Sequence, residues 1–506
     1  MKRHGLDTGV ALYTSSQVRD IEADFGQEEG TYALMEAAGS AVYQELKIRW
    51  PHARRILILS GKGNNGGDGY VVARLAAEER KKVTLCNFCP RERLKGDALT
   101  AFKKLPRSGL QYSLWEQIEV GEFDLIIDAL LGTGIKGPVR APFDEVIRLV
   151  NLSSVPVLSV DVPSGLEADT GNVFNLAIQA DYTVTFIGHK RGLYTGDSAN
   201  YRGDVRLFNL NIPTQFYQKH QFNVFAENWR SLKYKLKPRD PVSHKGNYGH
   251  CKIIGGANGM LGAAVLASGA AAKSGSGLTS AWLQNGSVGL VSRQPEIMAL
   301  DVAKEDISIN LEAINSVNSL VVGPGLGRGD WAQTWMQKVS ESDKLKSCAK
   351  VYDADALNWL AENPNFDGRR VLTPHPGEAG RLLGISSLAV NQDRFTSSHA
   401  IAQKYGGICV LKGSGTVVSD ANGLQVVCPV GNPGMASGGM GDILAGIIGG
   451  LLAQGYSLMD AALLGVCIHG EAADRVAGIK NQHRGMLASE LLQHLPDLLN
   501  PLQNSD

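Results

Sequence analysis

Two glycine-rich segments of this 506-residue chain carry polar side chains of types that bind ligands or move protons. Residues 60–69 read SGKGNNGGDG and follow an apolar run, and residues 431–446 read GNPGMASGGMGDILAG and lead into one. Glycines let a backbone approach a ligand closely, and the N–H groups at the start of a helix attract anions. The asparagines and Asp68 of the first segment favour polar contacts to a sugar, an amide or a cation. In the second segment, Asp442 could take a proton from a hydroxyl that attacks a phosphoryl group.

Each segment also has a simpler interpretation. The first matches neither the dinucleotide-binding pattern GxGxxG nor a P-loop, since no Lys-Ser or Lys-Thr pair follows its last glycine. Its glycines could serve only as tight turns before a helix that we expect to start near Tyr70. Asp442 could act only as the N-cap of the helix that follows.

Two more carboxylates stand where apolar runs end. Asp128 lies in LIIDALLGTG, residues 125–134, and Asp161 lies in SVDVPSG, residues 159–165. A carboxylate at the end of a buried strand loses hydration and needs a partner, although each could simply cap its own loop. Alternatively, the oxygen atoms of Asn65, Asp128 and Ser164 could together hold a hard cation.

A fold of alternating strands and helices must position these residues. Apolar β-branched runs alternate with helical patterns along the chain, which predicts an α/β fold with mainly parallel sheets. Ligands in such sheets bind beyond the carboxyl ends of the strands, where the glycine-rich segments fall. A capping box at Thr14 to Gln17 and a helical pattern from Tyr32 to Trp50 precede the first strand of the series. The predicted strands are residues 56–60, 83–87, 125–129, 155–161, 182–187 and 205–210, then 250–254, 320–322, 351–353, 371–373, 408–411 and 425–428.

Residues 223–241 have little periodicity and carry a basic cluster. We interpret them as a solvated junction, which divides the chain into predicted domains at residues 1–227 and 228–506.

Composition excludes several classes of protein. The chain has 50 basic and 50 acidic residues, so a formal charge of zero removes the electrostatic case for non-specific binding to nucleic acids or anionic membranes. The longest apolar stretch, residues 443–453, is about half of a membrane span, and we find no signal peptide pattern. Seven cysteines do not suggest a disulfide framework, and we interpret the lone C-x-x-C of Cys86 and Cys89 as coincidental. We expect a cytoplasmic protein.

Four motifs of the first half, in order, resemble the epimerase domain of the bacterial NAD(P)H-hydrate repair enzymes. They are LMEAAG (residues 34–39), GNNGGDG (63–69), DALLGTG (128–134) and DVPSG (161–165), with Ala37 where the family usually has Asn. The resemblance implies a Rossmann-like three-layer fold that epimerises carbon 6 of hydrated nicotinamide, with K⁺ in the cleft. It implies K⁺ ligation by Asn65, Asp128 and Ser164. The implied substrate-binding residues are Asn64, Asn65, Gly66, Gly67, Asp68, Gly132, Thr133, Gly134, Ile135, Lys136, Gly137, Pro138 and Asp161.

Inversion at carbon 6 requires the hydroxyl to leave or the ring to open, and either process builds positive charge on the ring nitrogen. An ionised carboxylate beside the ring could stabilise that charge or move the proton. We take Asp161 as the candidate catalytic residue, although the sequence alone does not decide between Asp161 and Asp128.

The second half resembles the NAD(P)H-hydrate dehydratases of the ribokinase-like superfamily. The motifs are KGNYGH (residues 245–250), VGPGLG (322–327), DADAL (353–357), HPGE (375–378), KGSGT (412–416) and GNPGMASGGMGD (431–442). The resemblance implies a ribokinase-like α/β domain in which a nucleotide phosphorylates the 6-hydroxyl of the S hydrate and phosphate then leaves. Asp442 would activate the hydroxyl. The implied hydrate-binding residues are Ala263, Gly325, His375 and Asp442, and the implied nucleotide-binding residues are Lys412, Gly413, Ser414, Gly415, Thr416 and Gly441.

Some details of the second site stay open at this stage. His375 replaces an Asn common in vitamin kinases and could instead be a satisfied loop histidine. Asp353 and Glu378 could serve Mg²⁺ from its outer shell or be structural. ADP is favoured over ATP only because the two halves are fused in one chain.

The union of the two halves predicts a bifunctional isomerase and lyase that repairs hydrated NADH and NADPH with ADP as co-substrate. One alternative is a ribokinase-like small-molecule or vitamin kinase with a non-catalytic N-terminal domain. Another is a non-catalytic scaffold, but the presence of four polar site residues argues against a scaffold: Asn65, Asp68, Asp128 and Asp161. We expect only small-molecule substrates, no nucleic acid or membrane partner, and a homo-oligomer whose subunit number the sequence does not give.

Overall fold

The structure is a computed structural model, and it describes residues 9–220, 222–312, 317–480 and 483–501. The chain divides into two compact units, the first covering Ala11–Val224 and the second starting at Phe225. No helix in the described ranges is long and apolar enough to cross a membrane.

The first unit is built on a seven-stranded parallel sheet in the order β4-β3-β2-β5-β6-β7-β9, with a separate parallel pair of β1 and β8. Its strands are β1 Val10–Tyr13, β2 Arg55–Ser60, β3 Lys82–Asn87, β4 Leu110–Tyr112, β5 Leu125–Ala129, β6 Val157–Val160, β7 Tyr182–Phe186, β8 His189–Lys190 and β9 Asp204–Phe208. Its helices are α1 Ser15–Glu29, α2 Thr31–Arg49, α3 Asn64–Glu78, α4 Gly96–Lys103, α5 Phe143–Leu152 and α6 Thr214–Gln218.

Alternation along the interior strand β2 shows the two cores of this unit. Ile56 and Ile58 pack with α2 and α3 on one face, whereas Leu57 and Leu59 pack with α5 on the other. The unit is therefore a three-layer α/β structure, as predicted.

The second unit is built on a larger sheet whose strands neighbour one another in the order β13-β12-β11-β14-β15-β16-β17-β18-β19. The strands from β13 to β17 are parallel, and β17, β18 and β19 form an antiparallel meander. The strands are β10 Val224–Ala226 at the boundary, β11 His250–Gly255, β12 Leu278–Leu283, β13 Met298–Asp301, β14 Ser319–Val322, β15 Ala349–Tyr352, β16 Arg370–Leu372, β17 Ile408–Leu411, β18 Thr416–Asp420 and β19 Gln425–Cys428.

Helices cover both faces of the second sheet. They are α7 Trp229–Leu232, α8 Leu261–Lys273, α9 Ser287–Arg293, α10 Ile307–Glu312, α11 Asp330–Glu341, α12 Asp355–Glu362, α13 Pro376–Leu383, α14 Ser387–Gln392, α15 Arg394–Tyr405, α16 Met440–Ala453, α17 Leu458–Lys480, α18 Ala488–Leu491 and α19 Leu495–Leu499. One core contains α8, α16 and α17, and the other contains α11, α12 and α15. α8 and α16 pack so closely that a Cβ at Gly450 would lie 2.6 Å from the Ala271 carbonyl oxygen, so only glycine fits there.

Most local predictions are confirmed. Each predicted strand overlaps a strand of the structure, and Thr14 caps α1 through the expected box, with Gln17 N donating to Thr14 Oγ1 at 3.2 Å and Thr14 N to Gln17 Oε1 at 2.8 Å. The C-x-x-C cysteines are free and buried, and burial raises the pKa of Cys86 to about 12.

Two predictions are wrong, the second only in part. The helix expected near Tyr70 begins at Asn64, so the GGDG residues lie inside its first turns. The interpretation of residues 223–241 as a solvated junction is wrong only in part. The boundary between the units falls at Val224–Phe225, and Lys235, Lys237 and Arg239 are exposed, but the stretch contains β10 and α7, and Leu232 and Leu236 are buried in the core of the second unit. The two buried leucines stand among basic residues, so the apolar pattern in this stretch was too short to predict a helix or a core contact.

Two candidate active sites

The first candidate site lies at the carboxyl ends of β5 and β6. Asp128, the next-to-last residue of β5, is fully buried. Its Oδ2 accepts hydrogen bonds from Ser159 Oγ at 2.8 Å and Ser164 N at 2.9 Å, and its Oδ1 accepts one from Ser164 Oγ at 2.5 Å. Burial raises the pKa of Asp128, and these hydrogen bonds oppose the rise. The carboxylate is thus fixed by its neighbours on both oxygens.

Asn65 brings further oxygen atoms to this carboxylate. It is the second residue of α3, and its Nδ2 donates to the Leu131 carbonyl oxygen at 3.0 Å. That carbonyl oxygen lies 3.2 Å from Ser164 Oγ. Asn65 Oδ1 is buried without a hydrogen-bond partner among the described residues. An orphaned buried oxygen is costly, so this cluster fits a cation that would satisfy it. The structure therefore brings together the three residues predicted to bind K⁺.

Asp161 lies directly after β6, and its backbone is in the left-handed region with a φ of 64°. It pairs with Lys190, which no sequence motif indicated. Its Oδ1 forms an ion pair with Lys190 Nζ and accepts from Thr185 Oγ1 at 3.1 Å. Lys190 is 1% exposed, and its Nζ also donates to Thr185 Oγ1 at 3.1 Å and to the Phe186 carbonyl oxygen at 2.8 Å. A buried lysine this well bonded holds its partner carboxylate in place.

Two carboxyl groups share the environment of this ion pair. Burial, followed by the charges of Asp161 and Glu22, holds the pKa of Asp68 well above its usual range, and Lys190 opposes the shift. Burial and then Asp161 also raise the pKa of Glu22, which comes from α1. Asp68 was predicted from the glycine-rich segment, whereas Glu22 stands outside every motif.

The glycines of the first segment act mainly in packing. A Cβ at Gly66 would overlap the Gly61 carbonyl oxygen, and one at Gly67 would lie 2.6 Å from the Met35 sulfur. Asn65 and Asp68 therefore project from a helix whose glycines allow it to lie close to its neighbours.

The loop after β5 carries the remaining predicted residues of this site. Gly132 lies against Asn65, since a Cβ on Gly132 would be 3.3 Å from that of Asn65. Residues 133–138 continue as a loop that is exposed or half-buried. Asn64, the first residue of α3, is exposed.

The second candidate site lies where α16 begins. Gly439 is the N-cap of this helix, so Asp442 is its third residue and the interpretation of Asp442 as a mere N-cap is wrong. Burial and then the charge of Asp353 raise the pKa of Asp442 to about 7, and Lys412 opposes the rise. A half-buried carboxylate with this pKa can accept a proton near neutral pH.

The residues directly after β15, β16 and β17 form a polar cluster near Asp442. Lys412, after β17, forms an ion pair from Nζ to Asp353 Oδ1 at 2.8 Å and lies 3.8 Å from Glu378 Oε2. Asp353, after β15, also accepts from Thr373 Oγ1 at 2.8 Å. A Cβ on Gly441 would lie 3.3 Å from Lys412 Nζ and 3.4 Å from Asp353 Oδ2, which places the start of α16 directly against this pair.

His375 is partly the satisfied histidine that the sequence left open. It is the N-cap of α13, and its Nδ1 accepts from Gly377 N at 2.9 Å. Its backbone N–H donates to Glu378 Oε2 at 2.7 Å. Nε2 lies 3.4 Å from Glu378 Oε1, and the side chain is half exposed. Burial and then Lys412 lower the pKa of His375, whereas burial raises that of Glu378 to about 7.

Residues 413–415 form the turn that joins β17 to β18 in an antiparallel hairpin. Thr416 Oγ1 closes the turn by donating to the Gly413 carbonyl oxygen at 3.1 Å. The buried Arg394 supports the turn from α15, with Nη2 donating to the Leu411 carbonyl oxygen at 3.0 Å. Gly413 and Ser414 are exposed, and Gly415 is buried.

The second glycine-rich loop is held from α17. Asp474 accepts from Gly431 N at 3.1 Å and from Asn432 Nδ2 at 2.9 Å, and Asn432 Oδ1 in turn accepts from Gly434 N at 2.9 Å. Neither Asp474 nor Arg394 was found from sequence, because each lies in a helix far from the motif that it supports.

Ala263 and Gly325 come together at the carboxyl ends of β11 and β14. A Cβ on Gly325, whose φ is 57°, would lie 3.1 Å from that of Ala263 and 2.5 Å from the Met260 carbonyl oxygen. Only glycine fits both this conformation and this contact.

Comparison with known proteins agrees with the motifs. Residues 31–192 match the family described as YjeF-related protein N-terminus, and residues 251–497 match the NAD(P)H-hydrate dehydratase family. The chain is 44% identical over 495 residues to a bifunctional NAD(P)H-hydrate repair enzyme from Coxiella burnetii, with 97% of this chain and 100% of that protein covered. It is 43% identical over 504 residues to the enzyme of that name from Vibrio cholerae, with 98% and 100% covered.

Among solved structures, a ribokinase-like superfamily protein from Enterococcus faecalis is similar, with a TM-score of 0.50 and 27% identity over 56% of this chain and 97% of that chain. The predicted resemblance and the fold class are confirmed, and a vitamin kinase with a non-catalytic N-terminal domain is not favoured. The chain belongs to the family of bifunctional NAD(P)H-hydrate repair enzymes.

Proposed function

We propose that residues 1–227 epimerise the R and S hydrates of NADH and NADPH at carbon 6, and that residues 228–506 dehydrate the S epimer with ADP. Family membership supports both activities. The observation that carries the residue assignment is that each unit places a carboxylate and a buried or half-buried lysine together beyond the carboxyl ends of its parallel strands.

In the epimerase, Asp161 is the carboxylate that faces the charge on the ring nitrogen. Its described contacts all use Oδ1, whereas both oxygens of Asp128 are occupied by serines. Lys190 keeps Asp161 oriented. The hydroxyl leaves carbon 6 with its bonding electrons, takes a proton from Asp68, and water adds back to either face with return of that proton. Residues 64–68 and 132–138 form the walls of the substrate site in this proposal.

K⁺ would be held by Asn65, Asp128 and Ser164, and it would supply a fixed positive charge that attracts oxygen atoms of the substrate. The unpartnered Asn65 Oδ1 supports this assignment. Asp128 then has a holding role rather than a role in proton transfer.

In the dehydratase, Asp442 takes the proton of the 6-hydroxyl while that oxygen attacks the terminal phosphoryl group of ADP. AMP leaves, and the hydroxyl has become a phosphate ester. The bond between carbon 6 and oxygen then breaks, inorganic phosphate departs, and loss of a proton from carbon 5 restores the double bond of the dihydronicotinamide. Phosphorylation thus turns a poor leaving group into a good one.

The charge that develops on the phosphoryl group needs cationic partners. Lys412 and the N–H groups at the start of α16 can supply them in a site shielded from water. Mg²⁺ commonly binds through one or two carboxylates together with substrate phosphates, and Asp353 and Glu378 are the candidates here. No three His, Cys, Asp or Glu side chains within the described ranges converge to hold a metal without such phosphates.

The substrates occupy opposite sides of Asp442 in this proposal. Ala263, Gly325 and His375 contact the hydrate, and residues 412–416 with Gly441 contact the nucleotide. Fusion of the two domains is the reason for choosing ADP over ATP.

The test is an assay of the purified full chain on R and S hydrates, with ADP and ATP in parallel and with or without K⁺. We expect NADH or NADPH, measured by the dihydronicotinamide absorbance, and inorganic phosphate to form in equal amounts. A stable phosphorylated product would instead indicate a kinase. The substitution Asp161→Asn should abolish consumption of the R hydrate and spare that of the S hydrate, so dehydration serves as the internal control for folding.

A further inference from the structure

A cleft of about 600 Å³ lies in the second unit beside the residues predicted to contact the hydrate. Its walls come from the loops after β11, β12, β13 and β14, which supply Met260, Gln284, Lys304 and residues 326–332. These loops all leave the carboxyl ends of the strands, which is the edge of the sheet that carries the candidate active site.

Direct contacts join the cleft to the hydrate-binding residues. Met260 lines the cleft, and its carbonyl oxygen is the atom against which Gly325 packs. Gly327 also lines it, and its N–H donates to Asp355 Oδ2 at 2.9 Å, which fixes the turn. Ala263 and Gly325 are therefore next to residues that line the cleft, since a Cβ on Gly325 would contact both Met260 and Ala263.

The order of strands places the cleft on one side of the reacting groups. β11 is two strands from β15, which leads to Asp353, and two strand spacings amount to about 10 Å. The turn at residues 413–415 follows β17, two strands beyond β15 in the opposite direction. A nucleotide at that turn and a ligand in the cleft would thus flank Asp353 from opposite sides.

The cleft has the chemistry of a nucleotide subsite. Asn258, Gln284 and Asn285 bring amide groups to its rim, and Gln284 Oε1 accepts from Asn258 N at 3.1 Å. Lys304 and Arg328 bring cations. Lys304 Nζ lies 3.2 Å from Asp330 Oδ2, and Arg328 Nε lies 3.6 Å from Asp355 Oδ1. Exposed pairs of this kind are weak, so a phosphate can displace either carboxylate at little cost.

We propose that this cleft binds the adenylate half of the dinucleotide hydrate, with Arg328 and Lys304 contacting its phosphate groups. The inference rests on the proposed dehydratase function. A hydrate whose carbon 6 lies at Asp442 must direct its adenylate half away from the nucleotide that phosphorylates it, and this cleft opens on that side.

The test uses Arg328→Glu and Lys304→Glu in the full chain, with Arg369→Glu as a matched control. The Arg328 side chain is 65% exposed, so its replacement leaves folding intact, and the exposed Arg369 precedes β16 at the opposite edge of the sheet. Loss of one charge-assisted hydrogen bond raises KM about tenfold. We expect this rise for NADH and NADPH hydrates in both cleft variants, with kcat and the KM for ADP unchanged.

A truncated substrate sharpens the result. The hydrate of reduced nicotinamide mononucleotide lacks the adenylate half, so its KM should be the same in wild type and Arg328→Glu. An equal rise in KM for the truncated hydrate, a rise confined to ADP, or wild-type KM values for the full hydrates would each overturn the proposal.

Binding separates failure of this inference from failure of the proposed function. If wild-type protein does not dehydrate the S hydrate with any nucleotide, the proposed function fails. Calorimetric titration of NADH, which needs no turnover, still tests the cleft. Arg328→Glu should weaken one class of NADH sites about tenfold, and identical titrations of the variant and the wild type would contradict the assignment.

Discussion

The two units place glycine and carboxylate at strand ends in different ways. In the first, the glycines of α3 allow a helix to pack tightly against Gly61 and Met35, and side chains make the site. In the second, the glycines of residues 431–439 lie before α16, and the proposed site uses the backbone N–H groups at the start of that helix. In the proposed function, similar glycine-rich segments would thus serve a site that handles a ring and a cation, and a site that stabilises a phosphoryl group.

The largest expected effect separates the two sites by chemistry. Asp442→Asn removes the proposed general base, and loss of such a group lowers kcat by about 10²- to 10⁴-fold. Epimerisation of the R hydrate should be unchanged, which is measured by loss of R hydrate under conditions without nucleotide. An active variant would remove Asp442 from the proton transfer.

The same carboxylate gives the dehydratase a pH dependence. Asp442 must be ionised to accept a proton, and its pKa is raised to about 7. The kcat/KM for the S hydrate should therefore rise with pH through about 7 and level off above it. A flat profile between pH 6 and 8 would indicate that another group is the base.

Lys190→Met tests the buried ion pair of the first unit. Removal of one partner leaves the Asp161 carboxylate without its cation, and breaking a buried pair costs about 3 kcal/mol. We expect lower stability of the first unit in denaturant and a large loss of epimerisation. The substitution Lys62→Met, at an exposed lysine, is the control. Full epimerase activity in Lys190→Met would show that Asp161 needs no such support.

The contrast between packed and open glycines predicts a smaller effect. Gly66→Ala should destabilise the protein by about 1–3 kcal/mol because its Cβ overlaps the Gly61 carbonyl oxygen. A Cβ on Gly438 would have no atom within 4 Å, so Gly438→Ala should leave the free energy of unfolding unchanged. Urea unfolding of both variants measures the difference, and equal stabilities would break the comparison.

The smallest expected effect concerns the cation. Asn65→Ala should raise the K⁺ concentration for half-maximal epimerisation about tenfold. We expect loss of one oxygen ligand to weaken K⁺ binding by about 1.4 kcal/mol, which corresponds to a tenfold change in affinity. Dehydration of the S hydrate should not change. A K⁺ response equal to that of wild type would remove Asn65 from the cation site.

The sequence predicted the architecture well, because buried parallel strands appear as short apolar runs that end in glycine or an acidic residue. It also predicted Asn65, Asp128 and Ser164 as neighbours, since adjacent parallel strands end at one edge. It missed Lys190, Arg394 and Asp474, which contact their partners from elements with no motif of their own. It also misplaced the start of α3, because glycines in a first helical turn suggest a loop unless the close neighbours are known.

The left-handed backbone of Asp161 has an evolutionary consequence. Asn and Gly adopt this conformation as readily as Asp does, whereas most other residues are strained there. A single change at this position can therefore remove the proposed catalytic carboxylate while the backbone after β6 keeps its conformation. The buried Lys190 would then lose its counter-charge, so loss of the reaction in this unit would also lower its stability, which opposes its reuse as an inert binding module.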